Sequence, residues 1–421
     1  MTPEQKGFIL LSVIKMLVVF TVVLVGVALL TLMERKVSAW MQNRRGPNRV
    51  GWAGLLQPVA DGLKNIVKEE TFPAQASTVL FLLAPALAFI PALTLSSVIP
   101  MAAPLTVNFD WRLPLIGEIG YHGPLSMAVA DAPIGFLFIL AISSMGVYGI
   151  ALAGWSSNSK YSLLGGLRAS AQMISYEVAM ALSLIPVLLM TGNVSFARIV
   201  LEQQKGLWFI LPLFLSFFIF LVSGFAETNR LPFDMPEAES ELIAGYHTEY
   251  SAMKFSMFFI AEYANMATVS MMASTLFLGG WSIPGVSVDP ANPGLIATLQ
   301  PGILATALTG LQFFLKTFCL LFFFMWIRWT LPRFRYDQLM ALGWKVMLPL
   351  ALGYTMVIAL AIYGVEQGLG VSSPTVKSLI LFGLNIGLGY LVFTVLDRGR
   401  IIHGSMSRAN DALAGPDRRA A

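Results

Sequence analysis

Long apolar runs separated by short polar stretches make up most of this chain. Runs at about 7–33, 78–100, 125–152, 170–191, 207–225, 254–280, 303–329, 344–365 and 378–396 are each suited to crossing a hydrocarbon core of about 30 Å. The pattern predicts an all-α polytopic membrane protein with about nine transmembrane helices. One segment has a different character: Trp52, Leu55, Leu56, Val59, Leu63, Ile66 and Val67 recur at helical offsets, while Gln57, Asp61, Lys64 and Lys68 fall opposite. Such an amphipathic helix suits the membrane interface, with its apolar side in lipid. Residues 1–396 therefore read as a single transmembrane domain, with loops at 34–77, 153–170, 226–253 and 330–343 and a basic tail at 397–421.

Composition agrees with this pattern. The chain is 56% hydrophobic and only 12% charged, with a mean hydropathy of +0.72, whereas soluble domains carry roughly a quarter charged residues. Most Lys and Arg fall in alternate loops, which places those loops in the cytoplasm, the amino terminus in the periplasm and the carboxyl terminus inside. That asymmetry also accounts for the net charge of +4, so nucleic acid is not an expected partner. The first span ends in Glu34, Arg35 and Lys36 with no small-residue cleavage site, unlike a removed signal peptide. One Cys and three His offer neither an iron–sulfur set nor facing haem ligands, so electrons in any redox role are expected on a partner.

The acids stand out against this background. Ala226 to Tyr250 holds Glu227, Asp234, Glu237, Glu239, Glu241 and Glu249. Asp131, Glu177, Glu262 and Lys316 fall inside predicted spans, where a charge facing lipid costs roughly 2.5–3.5 kcal/mol. They are expected to face the bundle interior. Buried carboxylates beside bases can hold and pass protons, although structural ion pairs and a stand-alone ion or solute transporter are alternatives at this point.

Three stretches carry a resemblance: ERK…GPNRVG…LQPVADGLK, the loop GWSSNSKYSLLGGLRASAQMISYE and the acidic segment PFDMPEAESELIAGYHTEY. Together they resemble the quinone-site membrane subunit of respiratory complex I, the H-type subunit family of bacterial proton-pumping NADH:quinone oxidoreductases, over almost all of residues 1–345. The equivalent subunit of a related hydrogenase or dehydrogenase shares that likeness. The resemblance implies a bacterial inner-membrane location in a hetero-oligomer. Quinone would be bound at the interface with cytoplasmic subunits, and FMN and iron–sulfur clusters would be carried by other subunits. Small membrane subunits and lipid would surround the chain. It further implies a quinone tunnel lined by Arg35, Trp52, Leu55, Leu56 and Phe233. A proton path would run through Glu34, Asp61, Asp131, Glu177, Glu227, Asp234, Glu237, Glu239, Glu241 and Glu262, with Arg230 and Lys316 as charge partners. Mitochondrial relatives stop at eight spans, so the ninth span and the tail read as packing plus a basic anchor.

Overall fold

The computed structural model describes residues 2–113, 117–236, 239–288, 297–368, 370–371 and 373–397. Helix α1 (Pro3–Met41) begins at a capping box in which Thr2 and Gln5 satisfy each other's backbone amides. At 39 residues it is roughly 58 Å long, so its last turns, with Glu34 and Arg35, extend beyond an apolar layer. Helix α2 (Gln57–Val67) is the amphipathic element and buries none of its residues. Trp52, Leu56, Val59, Leu63, Ile66 and Val67 are exposed, as an interfacial helix requires.

Helix α3 (Thr78–Thr94), α4 (Gly135–Ser156), α5 (Lys160–Thr191), the shorter α6 (Phe196–Lys205) and α7 (Phe214–Glu227) are followed by a single helical turn, α8 (Glu239–Leu242), and then by α9 (Ala252–Phe277). Beyond these come α10 (Ile303–Thr330), then α11 (Tyr336–Leu342) running through π turns into α12 (Leu348–Tyr363), and α13 (Pro374–Asp397). Among the described residues, seven helical segments are long and apolar enough to cross a membrane. The other two expected spans correspond to α7, which is shorter at 14 residues, and α9, whose Lys254 and Glu262 dilute its hydropathy. The core lies where α3, α4, α5, α7 and α9 meet, around buried Phe81, Tyr176, Phe220 and Phe277.

Several boundaries depart from the pattern. Residues 160–170, expected as loop, extend α5, because Gly165 and Gly166 let the helix lie against the turn at Gly245–His247 and against Gly154. Strands β1 (Leu105–Leu113) and β2 (Gly117–Leu125) form an antiparallel hairpin between α3 and α4, pairing Leu105 with Leu125 through Leu113 with Gly117. The apolar–polar alternation of LTVNFDWRL carried that signal. Helix α4 starts at Gly135 rather than 125, so Asp131 is exposed in the preceding loop, near Lys15 instead of inside a span. Pro133 stands between Asp131 and that helix start, and the residue before a proline is steered away from helical geometry.

A side chain at Gly165 would meet the Gly245 Cα at 2.7 Å and the Tyr246 amide at 2.8 Å, both backbone. Gly165→Val is therefore expected to destabilise the protein by about 1–3 kcal/mol. Gly62→Ala, with nothing near its Cβ, is expected to be tolerated. Thermal melting of the two detergent-purified variants compares them; equal midpoints would contradict the packing account.

Candidate functional site

A cavity of ≈ 700 Å³ opens where the C-terminal end of α1 meets α2, α9 and the end of α10. Its volume lies within the range of small-molecule sites. The lining brings Arg35, Arg44 and Arg328 together with Glu34 and Asp61, and three cations facing two carboxylates favour a ligand on which negative charge develops. Phe255, Phe259 and Ile260 of α9 supply apolar wall.

Each charge is held from another helix. Glu34 is buried, accepts from Tyr263 Oη at 2.6 Å and pairs with Arg328. Arg35 bridges to Asp61 at 2.7 Å, and Gln57 donates to the other Asp61 oxygen at 3.1 Å. This pair joins α1 to α2 at the cavity rim and is half exposed, so its contribution to stability is small. Behind Tyr263, the buried Arg230 guanidinium lies 4.2 Å from the ring centroid and 3.8 Å from Glu262. Tyr246 Oη donates to Glu262 at 3.2 Å. An unbroken line of polar contacts thus leads from the cavity wall to the loop ahead of α9.

A second acidic pair lies deeper. Glu177 of α5 accepts from Ser144 at 2.5 Å, and Glu227, the buried last residue of α7, is contacted by Ser143 and is within electrostatic reach of Glu177. The loop after Glu227 is fixed by buried Gln172, whose amide nitrogen reaches Ala226 O and Phe233 O, both at 2.7 Å. Asp234 pairs with Arg333 at 3.2 Å, and Arg168 with Glu241 at 2.7 Å. Close to α9, Tyr250 stacks on Phe81 at 4.1 Å and donates to the Phe81 carbonyl. Burial pushes its phenol up to about 12.

The site residues read from sequence separate under this geometry. Glu34, Arg35 and Asp61 share the cavity. Glu262 and Arg230 lie behind it, and Glu177 and Glu227 form the inner pair. Leu55 lines a separate apolar groove beside α1 and α10, while Trp52 and Leu56 are exposed. Phe233 does not line the cavity: it is buried between Tyr176 and Phe334, with centroids 5.7 and 5.6 Å away. Lys316 is not a charge partner of an acid, because its ammonium is consumed by the carbonyls of Leu278, Gly280 and Ser282 at 2.7–2.8 Å and lies 4.0 Å from the Trp208 ring. Glu237 lies outside the described residues, and Glu239 opens α8. Sequence reasoning passed over Tyr263, Arg328 and Gln172. Tyr263 directly follows Glu262, but its reach to a helix 229 residues away has no local signal.

Comparisons with known proteins converge on one group. The family model described as NADH dehydrogenase matches residues 14–359. The second H-type subunit of the NADH-quinone oxidoreductase of Koribacter versatilis is 53% identical over 358 residues, covering 84% of this chain and 97% of that protein. The first H-type subunit of the Geobacter sulfurreducens enzyme is 51% identical, covering 81% and 91%. NADH-ubiquinone oxidoreductase chain 1 of Chondrus crispus is 49% identical, covering 84% and 97%.

Arg328→Met is expected to lower stability by about 3–5 kcal/mol, since it leaves Glu34 buried without its cation. Adding Glu34→Gln to that variant is expected to recover most of the loss. Melting of the purified assembly tests this, and a double variant no more stable than the single one would contradict it.

Proposed function

This chain belongs to the family of H-type subunits of NADH-quinone oxidoreductase, multi-pass membrane subunits of a multi-subunit enzyme, and on that premise we propose that its charged cavity is the membrane side of the quinone site. The observation that carries the proposal is the cavity itself: apolar wall from α9, an amphipathic helix at its rim and a surplus of arginine over carboxylate among its lining residues. An isoprenoid quinone combines a long apolar tail with a head that gains negative charge on reduction. Electrons would arrive from iron–sulfur clusters and FMN on cytoplasmic subunits, in a bacterial inner membrane with the amino terminus periplasmic. Neighbouring small membrane subunits and lipid would cover the exposed apolar helix faces.

The charged line behind the cavity supports a coupling role. Negative charge appearing in the cavity draws on Arg328 and Arg35, which loosens their hold on Glu34 and Asp61. Tyr263 stands between Glu34 and Arg230, so a change at Glu34 alters how Arg230 is shared with Glu262. In a low-dielectric interior such a change is felt at several ångströms, and neighbouring carboxylates titrate as a set. Glu177 and Glu227 would receive the proton, with Ser144 donating to Glu177. In this reading Asp234 and Glu241 connect the two groups through the loop, and Glu237 and Glu239 belong to the path on the resemblance alone. Asp131, lying apart in an exposed loop, would join the path only at its far end.

Glu177→Gln and Glu227→Gln in the assembled enzyme are expected to abolish most proton translocation, with quinone reduction slowed by about 10-fold or more. Dye-quench measurement of pumping alongside quinone reductase turnover decides the point. Full pumping and full turnover in both variants would remove the inner pair from the path.

A further inference from the structure

Helix α7 starts without a capping side chain of its own. Its first turn follows irregular backbone at Leu207–Leu213, and its N-cap residue is Leu213. The start nevertheless lies within the bundle, where open amides and carbonyls are costly. Two other helices complete it. The Tyr354 hydroxyl of α12 faces the Ser216 backbone. That hydroxyl donates to Asn385 Oδ1 of α13 at 2.8 Å, and Asn385 Nδ2 donates to Pro212 O at 2.5 Å. Pro212 O and Ser216 N–H are the pair that a regular helix would bond directly. The asparagine takes the Pro212 carbonyl, and the tyrosine that holds it stands beside Ser216. Both side chains are buried, Asn385 at 2% exposure and Tyr354 at 3%.

The same knot includes α5. Pro186 has no N–H for the Leu182 carbonyl, and Thr355 Oγ1 lies 3.2 Å from that oxygen. Ser216 Oγ donates to Ser183 O. The knot therefore holds both helices that carry the inner acids. Glu177 is less than two turns along α5 from Leu182, and Glu227 lies about 16 Å along α7 from Ser216. No proline interrupts α7 between these points, so a shift of its first turn moves Glu227.

We infer that Asn385, with Tyr354, is a positioning residue: helix α13 caps α7 from outside and sets the depth of Glu227 relative to Glu177. Asn385 lies beyond the family-matched residues 14–359, whereas Tyr354 lies within them. Without these side chains, Ser216 and Pro212 can bond each other, winding α7 further and displacing its far end. The inference rests on the coupling role proposed for the inner pair.

The test compares Asn385→Leu, Tyr354→Phe and Glu227→Gln in the full assembly in inverted vesicles. Assembly is checked by NADH oxidation with an acceptor that bypasses quinone. Asn385→Leu is expected to keep quinone reductase turnover within about twofold while roughly halving the protons moved per quinone reduced, as misplacement of a reacting group does. Tyr354→Phe is expected to shift the ratio in the same direction by less. An unchanged ratio in Asn385→Leu, where Glu227→Gln lowers it, overturns the inference and leaves the proposed function standing. A parallel fall of assembly, turnover and pumping in Asn385→Leu reduces the residue to a structural bond and also overturns it. An intact ratio in Glu227→Gln sinks the coupling role itself.

Discussion

A carboxylate enclosed by apolar helices has to find a partner that its own helix cannot supply, and the arrangement of this bundle follows from that requirement. Glu34 of α1 is held by Tyr263 of α9 and Arg328 of α10. Glu177 of α5 is held by Ser144 of α4, and Asp234 by Arg333 beyond α10. Individual interhelical hydrogen bonds average only about 0.6 kcal/mol in membranes. Their effect is on register: a helix that slips by one turn leaves a charge unpartnered, at several times that cost. Apolar packing between α3, α4 and α5 tolerates many offsets, whereas the polar pairs accept few.

The same requirement divides the acidic residues by role. The more exposed ones, Asp61 and Glu241, pair with partly exposed arginines, where water moderates the charge. Those inside, Glu34, Glu227 and Asp234, are buried. Arg230 lies between these settings, with Tyr263 on one side and Glu262 on the other. In the proposed function it is this position, more than the number of acids, that lets an event in the cavity reach the inner pair. Gln172 contributes differently: it fixes the loop that carries Arg230 to α5, so that the loop and the Glu177 helix move together.

Much of the fold was legible along the chain because burial in lipid is a local demand. Every residue of a span faces it, so hydrophobic length alone located the helices, and the seven-residue apolar set from Trp52 to Val67 located the interfacial one. Errors arose where a local rule met a distant partner. Asp131 looked internal because its neighbours are apolar, yet the helix begins after Pro133. Residues 160–170 looked like loop because they are polar and glycine-rich. In the fold those glycines are what lets α5 continue against Gly245. Lys316 looked like a counter-charge, but its ammonium is taken up by three turn carbonyls.

The sequence by itself determined the membrane class, the approximate helices, the interfacial segment and the family, because hydropathy and contiguous motifs are properties of neighbouring residues. Tertiary structure alone decided which acids share a cavity, that Tyr263 and Arg328 hold Glu34, that Phe233 is packing, and that Asn385 holds a backbone carbonyl 173 residues earlier, just ahead of α7. Those pairings depend on distances between helices, and no local pattern encodes which buried donor will lie nearest to a given buried acceptor once the helices have packed.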